Sequence, residues 1–141
     1  MAQHAVPLRA GRIDPWGYQE GRAAYRACLA WADCIVSTAH HEFFGLAVAE
    51  AAAAGCLPLL PPRLTYPEIF PPAQGHGPSF YDGTPAGVAE ALADAAARLA
   101  RDDLWQGDPA RARRAVAHLT WPTLVPQLDA ALAAVTREQT A

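Results

Sequence analysis

The sequence predicts an α/β fold built on a small parallel sheet, and three features carry that prediction. Cys34-Ile35-Val36-Ser37 reads as a short apolar strand, Leu46 to Ala54 as a helix of strong formers closed by Gly55, and Cys56-Leu57-Pro58-Leu59-Leu60 as a second strand. Strand, helix and strand follow one another within about 27 residues, the shape of a βαβ unit with a right-handed crossover. Ser79-Phe80-Tyr81 supplies a third candidate strand before a helical C-terminal half.

The remaining elements follow from the same periodicities. Between Gln19 and Ala32 the positions Ala24, Cys28 and Trp31 share one helical face, while Glu20, Arg22 and Arg26 fall opposite. Asp33 ends that helix. Trp16-Gly17-Tyr18 reads as a turn or strand end, and residues 1–15 as an irregular N-terminal segment. Pro61 to Pro78 is proline-rich, with one helical turn expected at Tyr66-Pro67-Glu68-Ile69-Phe70 and a mobile stretch at Gln74 to Pro78. Thr84 caps a helix with Pro85 at its first position, running to about Arg101. Further helices are expected from Pro109 to about Leu119 and from Thr120-Trp121-Pro122 to about Arg137. No internal repeat or linker divides the chain, so residues 16–141 read as one partial domain. Its strands are few for a sheet covered on both faces, which predicts an open sheet edge and self-association through it.

At 141 residues with 52% hydrophobic content, the chain is long enough to bury a real core. A formal charge of −3 gives no field that would draw nucleic acid by itself. All 11 basic residues are arginine, a compositional bias shared with the alanine content. Cys28, Cys34 and Cys56 fall in apolar patterns and read as small buried hydrophobes in a reducing compartment. No signal peptide and no membrane span are legible, so a cytoplasmic protein with no membrane association is expected.

The chemistry concentrates between Ser37 and Glu50. A strand entering a helix through a glycine-bearing loop leaves backbone N–H groups and the positive end of a helix dipole at one point, a place suited to phosphate. Glu42 precedes that point and Glu50 follows it by one helical stretch. Were the segment one helix, the two carboxylates would lie roughly 12 Å apart along its axis, about the length of a nucleotide-diphosphate sugar. One would hold sugar hydroxyls and the other ribose hydroxyls, with the diphosphate over the N–H groups of Gly45 and Leu46. Spacing alone leaves open that Glu50 is only the solvated side of an alanine helix. His40-His41-Glu42 offers metal-ligand atoms, but adjacent loop residues rarely converge on one ion, so no metal is expected and His41 reads as a polar contact. Glu68 reads equally as a nucleotide contact or as part of its own helical turn. The arginines at 98, 101, 111, 113 and 114 read as solvated faces rather than an RNA surface, and Trp31, Trp105 and Trp121 as core or cover.

On Glu42-Phe43-Phe44-Gly45, Glu50, Gly55 and Pro67-Glu68-Ile69 the chain resembles the retaining GT-B glycosyltransferases. Ser37 to Gly45, Tyr66 to Pro71, Trp16-Gly17-Tyr18 and Thr120-Trp121 bring it closest to the branch that acts on queuosine in tRNA. The resemblance runs from about residue 16 to 135. It implies an incomplete Rossmann-like sheet, the C-terminal half of a GT-B enzyme, with GDP-mannose or another nucleotide-diphosphate sugar as donor, tRNA as acceptor, and no cofactor. It makes Glu42 the catalytic residue beside the donor sugar and Glu50 the ribose ligand, and it puts His41, Phe43, Phe44, Gly45, Leu46 and Glu68 at the donor. The family also carries an N-terminal domain for the acceptor and an Arg–Lys pair for the diphosphate. This chain has no Lys, and Arg9, Arg12 or Arg63 are the alternatives. Both the preceding domain, or a partner chain in its place, and the cation are thus expected from elsewhere, and the chain alone is expected to be inactive or nearly so. The competing reading is a stand-alone nucleotide-sugar-binding or interaction module without catalysis, or a glycosyltransferase of other donor and acceptor.

Overall fold

The computed structural model describes residues 17–71 and 79–138. The expectations for residues 1–15, Trp16, Arg9, Arg12 and the stretch Gln74 to Pro78 lie outside them.

Three parallel strands, β1 (Cys34–Val36), β2 (Leu57–Leu60) and β3 (Ser79–Phe80), pair in the order β1-β2-β3. Parallel neighbours need crossovers, and the first is α2 (Leu46–Ala54), which follows α1 (Gly21–Trp31) and β1. The second crossover contains only the single turn α3 (Tyr66–Ile69) among the described residues. After β3 come α4 (Pro85–Leu99), α5 (Arg111–Ala115), a 3-10 turn (Ala117–Leu119) and α6 (Trp121–Glu138).

Both faces of the sheet are covered, and the alternation along β2 decides which residue goes where. Leu57 and Leu59 point to the α4 side, where they meet Ala95 and Leu104. Leu60 points to the other side, into a larger cluster with Val48, Ala49 and Ala52 of α2, Tyr66, Ile69 and Phe70, and Ala112 and Ala115 of α5. On β1, Cys34 packs toward the first cluster and Ile35 toward the second. Leu59 and Leu60 are fully buried, which stabilises the fold by about 1.5–3 kcal/mol for each side chain.

Pro58 sits in the central strand, a place proline usually avoids because it lacks an N–H. The register explains its tolerance. Leu57 N–H bonds Asp33 O and Ser37 N–H bonds Leu59 O, so Leu57 and Leu59 turn their polar groups to β1. Pro58 therefore turns toward β3, whose pairing among the described residues runs from Leu59 and Ser79 to Leu60 and Phe80. Among the described residues no ladder bond is lost there.

Helix ends follow the local chemistry. Gly55 closes α2 in the left-handed region (φ 113°) and donates its N–H to Ala51 O and Ala52 O. The Thr84 hydroxyl accepts Gly87 N–H at 3.0 Å and Pro85 takes the first helical position of α4. Asp82 joins this cap, accepting both the N–H and the hydroxyl of Thr84. Those bonds hold the exposed Asp82 carboxyl below its ordinary pKa.

The reading of the tryptophans as core or cover needs narrowing. Trp31 and Trp121 are 75% and 73% exposed, which excludes the core for both, and among the described residues Trp105 packs against the buried clusters. α1 has no buried residue. In α6, Trp121, Leu124, Val125, Leu128, Leu132 and Val135 form an apolar stripe at helical spacing, yet all are exposed. Amphipathic spacing shows which face seeks burial, not whether a partner is present. Among the described residues no strand pairs with the outer edge of β1, and no helix is long and apolar enough to cross a membrane. Cys56 is buried, with its thiol on Leu29 O and Ala32 O, while Cys28 and Cys34 are half-buried and all three are free thiols.

The sharpest packing constraint lies at Gly45, which precedes α2 with φ 78° and ψ 35°. A Cβ there would stand 3.2 Å from both Ile69 Cδ1 and the Tyr66 ring. Gly45→Ala is expected to cost at least about 1–2 kcal/mol from backbone conformation alone, read as a lowered urea midpoint with an unchanged m-value. Gly107→Ala, also at positive φ but with open space around it, should cost only the conformational part.

Candidate functional site

In open parallel sheets, ligands collect outside the carboxyl ends of the strands, and here three loops meet at that edge. Ser37 follows β1, Tyr66 opens α3 beyond β2, and Tyr81 follows β3. The Ser37 hydroxyl and the Tyr66 phenol share a hydrogen bond of 2.6 Å, and the Tyr81 phenol donates to Ser37 O at 2.7 Å. Both tyrosines are buried. Ala39 N–H also donates to Ser37 Oγ, at 3.3 Å. A single serine therefore ties all three loops together.

Beyond this tie the β1–α2 loop carries His40, His41, Glu42, Phe43 and Phe44. Glu42 is half-buried and folds back on its own loop, its Oε1 accepting the N–H groups of Phe43 and Gly45, each at 3.0 Å. This departs from the expectation for Gly45, whose amide was assigned to a diphosphate: Glu42 occupies it. The physical reason is local: the loop between Glu42 and Gly45 folds back so that the carboxylate reaches the backbone amides one and three residues ahead of it. Gly45 has no side chain to cap α2, so the first-turn amides of Leu46, Ala47 and Val48 receive no side-chain cap.

The aromatic residues stand outward. Phe43 is fully exposed and Phe44 half-exposed, and His40, His41, Leu46 and Glu68 are exposed as well. Among the described residues no group of three or more His, Cys, Asp or Glu side chains is arranged to hold a metal ion.

Glu50 lies one helical stretch away and has a different environment. Its Oε2 accepts the Tyr25 hydroxyl at 2.7 Å, a bond from α2 to α1. The groove between these helices, about 400 Å³, is lined by Arg22, Tyr25, Arg26, Leu29, Glu50, Ala53 and Ala54, and Glu42 is not part of it. The two carboxylates therefore occupy separate surroundings in this structure, one on its loop and one in a groove. Burial, and then the hydrogen bond and charge of Glu50, push the Tyr25 phenol up to about 12. A larger hollow of about 700 Å³ runs along α1 past Tyr18, Cys28 and Trp31, but it is apolar and contains no carboxylate. Size alone would favour that hollow; the polar groups that could act on a ligand are at the strand ends.

Three parts of this arrangement escape sequence reasoning: the Ser37–Tyr66–Tyr81 tie, the Tyr25 partner of Glu50, and the seat of Arg63 described below. Each links positions at least 24 residues apart, and no local pattern marks such pairs.

Over 69 residues the chain is 42% identical to a tRNA-queuosine alpha-mannosyltransferase of Drosophila melanogaster. The match takes in 49% of this chain and 18% of the relative, so the shared stretch is a small part of that protein. The two are related over that stretch. No family model matches the chain, and no solved structure matches it.

The Tyr25–Glu50 bond has a pH signature. The folded pKa of Tyr25 lies above its ordinary value of 10.0, so the fold favours the neutral phenol. That contribution is complete below about pH 10 and is lost as pH rises through about 12. The stability difference between the wild type and Tyr25→Phe should be constant to pH 10 and shrink beyond it, as measured by denaturant unfolding across that range.

Proposed function

We propose that this chain is the donor-binding part of a retaining glycosyltransferase of GT-B type, with its three strands forming part of a Rossmann-like domain. On this reading the whole enzyme transfers mannose from GDP-mannose to queuosine in tRNA. The observation that carries the proposal is the 42% identity over 69 residues to a protein of that name. The strand–loop–helix at the carboxyl edge of the sheet supports it, because that is where an α/β fold gathers nucleotide ligands.

The geometry suggests how the residues would work. The donor diphosphate lies over the start of α2, where the dipole and the amides of Leu46 and Ala47 favour negative charge. To reach the Gly45 amide it displaces the Glu42 carboxylate. Glu42, released, turns to the sugar, accepts hydroxyl hydrogen bonds and supports positive charge developing at the anomeric carbon. Glu50 exchanges its bond from Tyr25 for the ribose diol. His41, Phe43 and Phe44 close over the sugar, and Glu68 stands at the nucleotide side. The remaining enzyme, on the same chain or a partner, covers the exposed faces of α1 and α6 and brings the acceptor. Self-association through the open edge of β1 is the alternative way to cover that side.

A second reading has one observation in its favour. Both carboxylates are already satisfied inside the chain, Glu42 by loop amides and Glu50 by Tyr25. A module that binds a nucleotide sugar without transferring it would need no more than this.

Calorimetry with GDP-mannose and GDP, paired with single-turnover transfer to queuosine-containing tRNA, separates these readings. The proposal expects binding by the 141-residue chain, weakened by about tenfold in Glu50→Gln, and transfer only when the rest of the enzyme is supplied. No heat at about millimolar ligand would remove both readings, and binding without transfer by the completed enzyme would leave only the module.

A further inference from the structure

A diphosphate carries more charge than a helix dipole of about half an elementary unit can balance, and the chain has no lysine. The arginines in the described residues are mostly committed elsewhere. Arg98 is buried and paired with Asp94, and Arg114 is paired with Asp108. Arg113 donates to Ala54 O, at the far end of α2 from the loop, and Arg22 and Arg26 line the α1–α2 groove.

Arg63 differs from all of these. It follows β2 and reaches across the strand ends, donating from Nε to Ala39 O of the β1–α2 loop at 3.3 Å. On its other side it lies against the β3–α4 loop, where a Cβ added to Gly83 would stand 3.4 Å from Nη1. Arg63 is thus a half-buried residue whose guanidinium lies between the loops that follow β1 and β3, two residues from the Thr65–Tyr66 wall of the Gly45 turn. It takes part in no ion pair among the described residues. The two carboxylates on the adjoining loops are spoken for: Asp82 accepts from Thr84, and Glu42 accepts from Phe43 and Gly45. The Arg63 Nη groups make no hydrogen bond to the protein among the described residues and remain open to a ligand, and a guanidinium fork suits two phosphate oxygens.

We propose that Arg63 is the anion-binding residue of this edge, its Nη groups receiving the diphosphate of a nucleotide-sugar donor. This deepens the donor-binding reading and rests on it for the identity of the ligand. Held by Ala39 O on one side and Gly83 on the other, the guanidinium is oriented before the ligand arrives. Its charge would offset the charge that builds on the diphosphate as the sugar leaves.

The test uses pyrophosphate and GDP-mannose in parallel, by calorimetry on the full chain and on Arg63→Gln and Arg63→Lys, with thermal unfolding to check each fold. The proposal expects pyrophosphate binding by the wild type, weakened at least about tenfold in Arg63→Gln and less in Arg63→Lys, which keeps the charge but not the fork. A folded Arg63→Gln variant binding pyrophosphate as tightly as the wild type would overturn it, and so would a wild type that binds none. If Arg63→Gln fails to fold, Arg63→Lys decides: unchanged affinity for both ligands counts against the bidentate contact. GDP-mannose binding indifferent to Arg63 would leave the donor reading standing without this residue, whereas loss of binding to both ligands in the wild type removes both proposals.

Discussion

The carboxyl edge of the sheet depends on one buried contact, the Tyr66 phenol against Ser37 and Gly45. Tyr66 is almost wholly excluded from water, and its hydroxyl finds Ser37 Oγ at 2.6 Å. A buried phenol without such a partner would cost about 1–3 kcal/mol, so the position of Ser37 and that of α3 fix each other. The ring also forms the floor under Gly45, so a Cβ in the left-handed turn into α2 would press on it at 3.2 Å. One four-residue helix thus sets the entry angle of α2 and the level of the loop that carries Glu42.

From that fixed floor follow the electrostatics. The loop amides at Phe43 and Gly45 point to one place, and in the structure Glu42 fills it. Arg63 reaches the same loop at Ala39 and finds a carbonyl, not a carboxylate. The edge thus holds an internal anion on the loop amides and a cation that takes part in no ion pair among the described residues. Glu50 is anchored separately by Tyr25, outside the loop. Two acidic residues at fixed spacing therefore do not form a matched pair in this structure.

Much of the fold was legible because its signals are local. The bounds of α2 at Leu46 and Ala54 follow from an unbroken run of strong helix formers and from Gly55, and the start of α4 from Thr84 and Pro85. Strand β2 was marked by its continuous apolar run, as expected for a strand covered on both faces. What the sequence did not mark were the relations between distant residues. The register that excuses Pro58, the seat of Arg63 and the exposure of Trp31 and Trp121 depend on what lies across from them. The site was half legible: its segment could be named, but Glu42 reaching the Gly45 amide could not, because several acceptors compete for each loop N–H.

The central claim is that a nucleotide-sugar site lies where the loops after β1, β2 and β3 converge. Amide chemical-shift mapping with GDP-mannose tests it most directly. The account predicts that the largest shifts fall on Ala39 to Ala47 and on Arg63, with the Gly45 amide among them as Glu42 gives way to phosphate. Shifts confined to α1, the α1–α2 groove or α6, with the Gly45 amide unmoved at saturation, would contradict it.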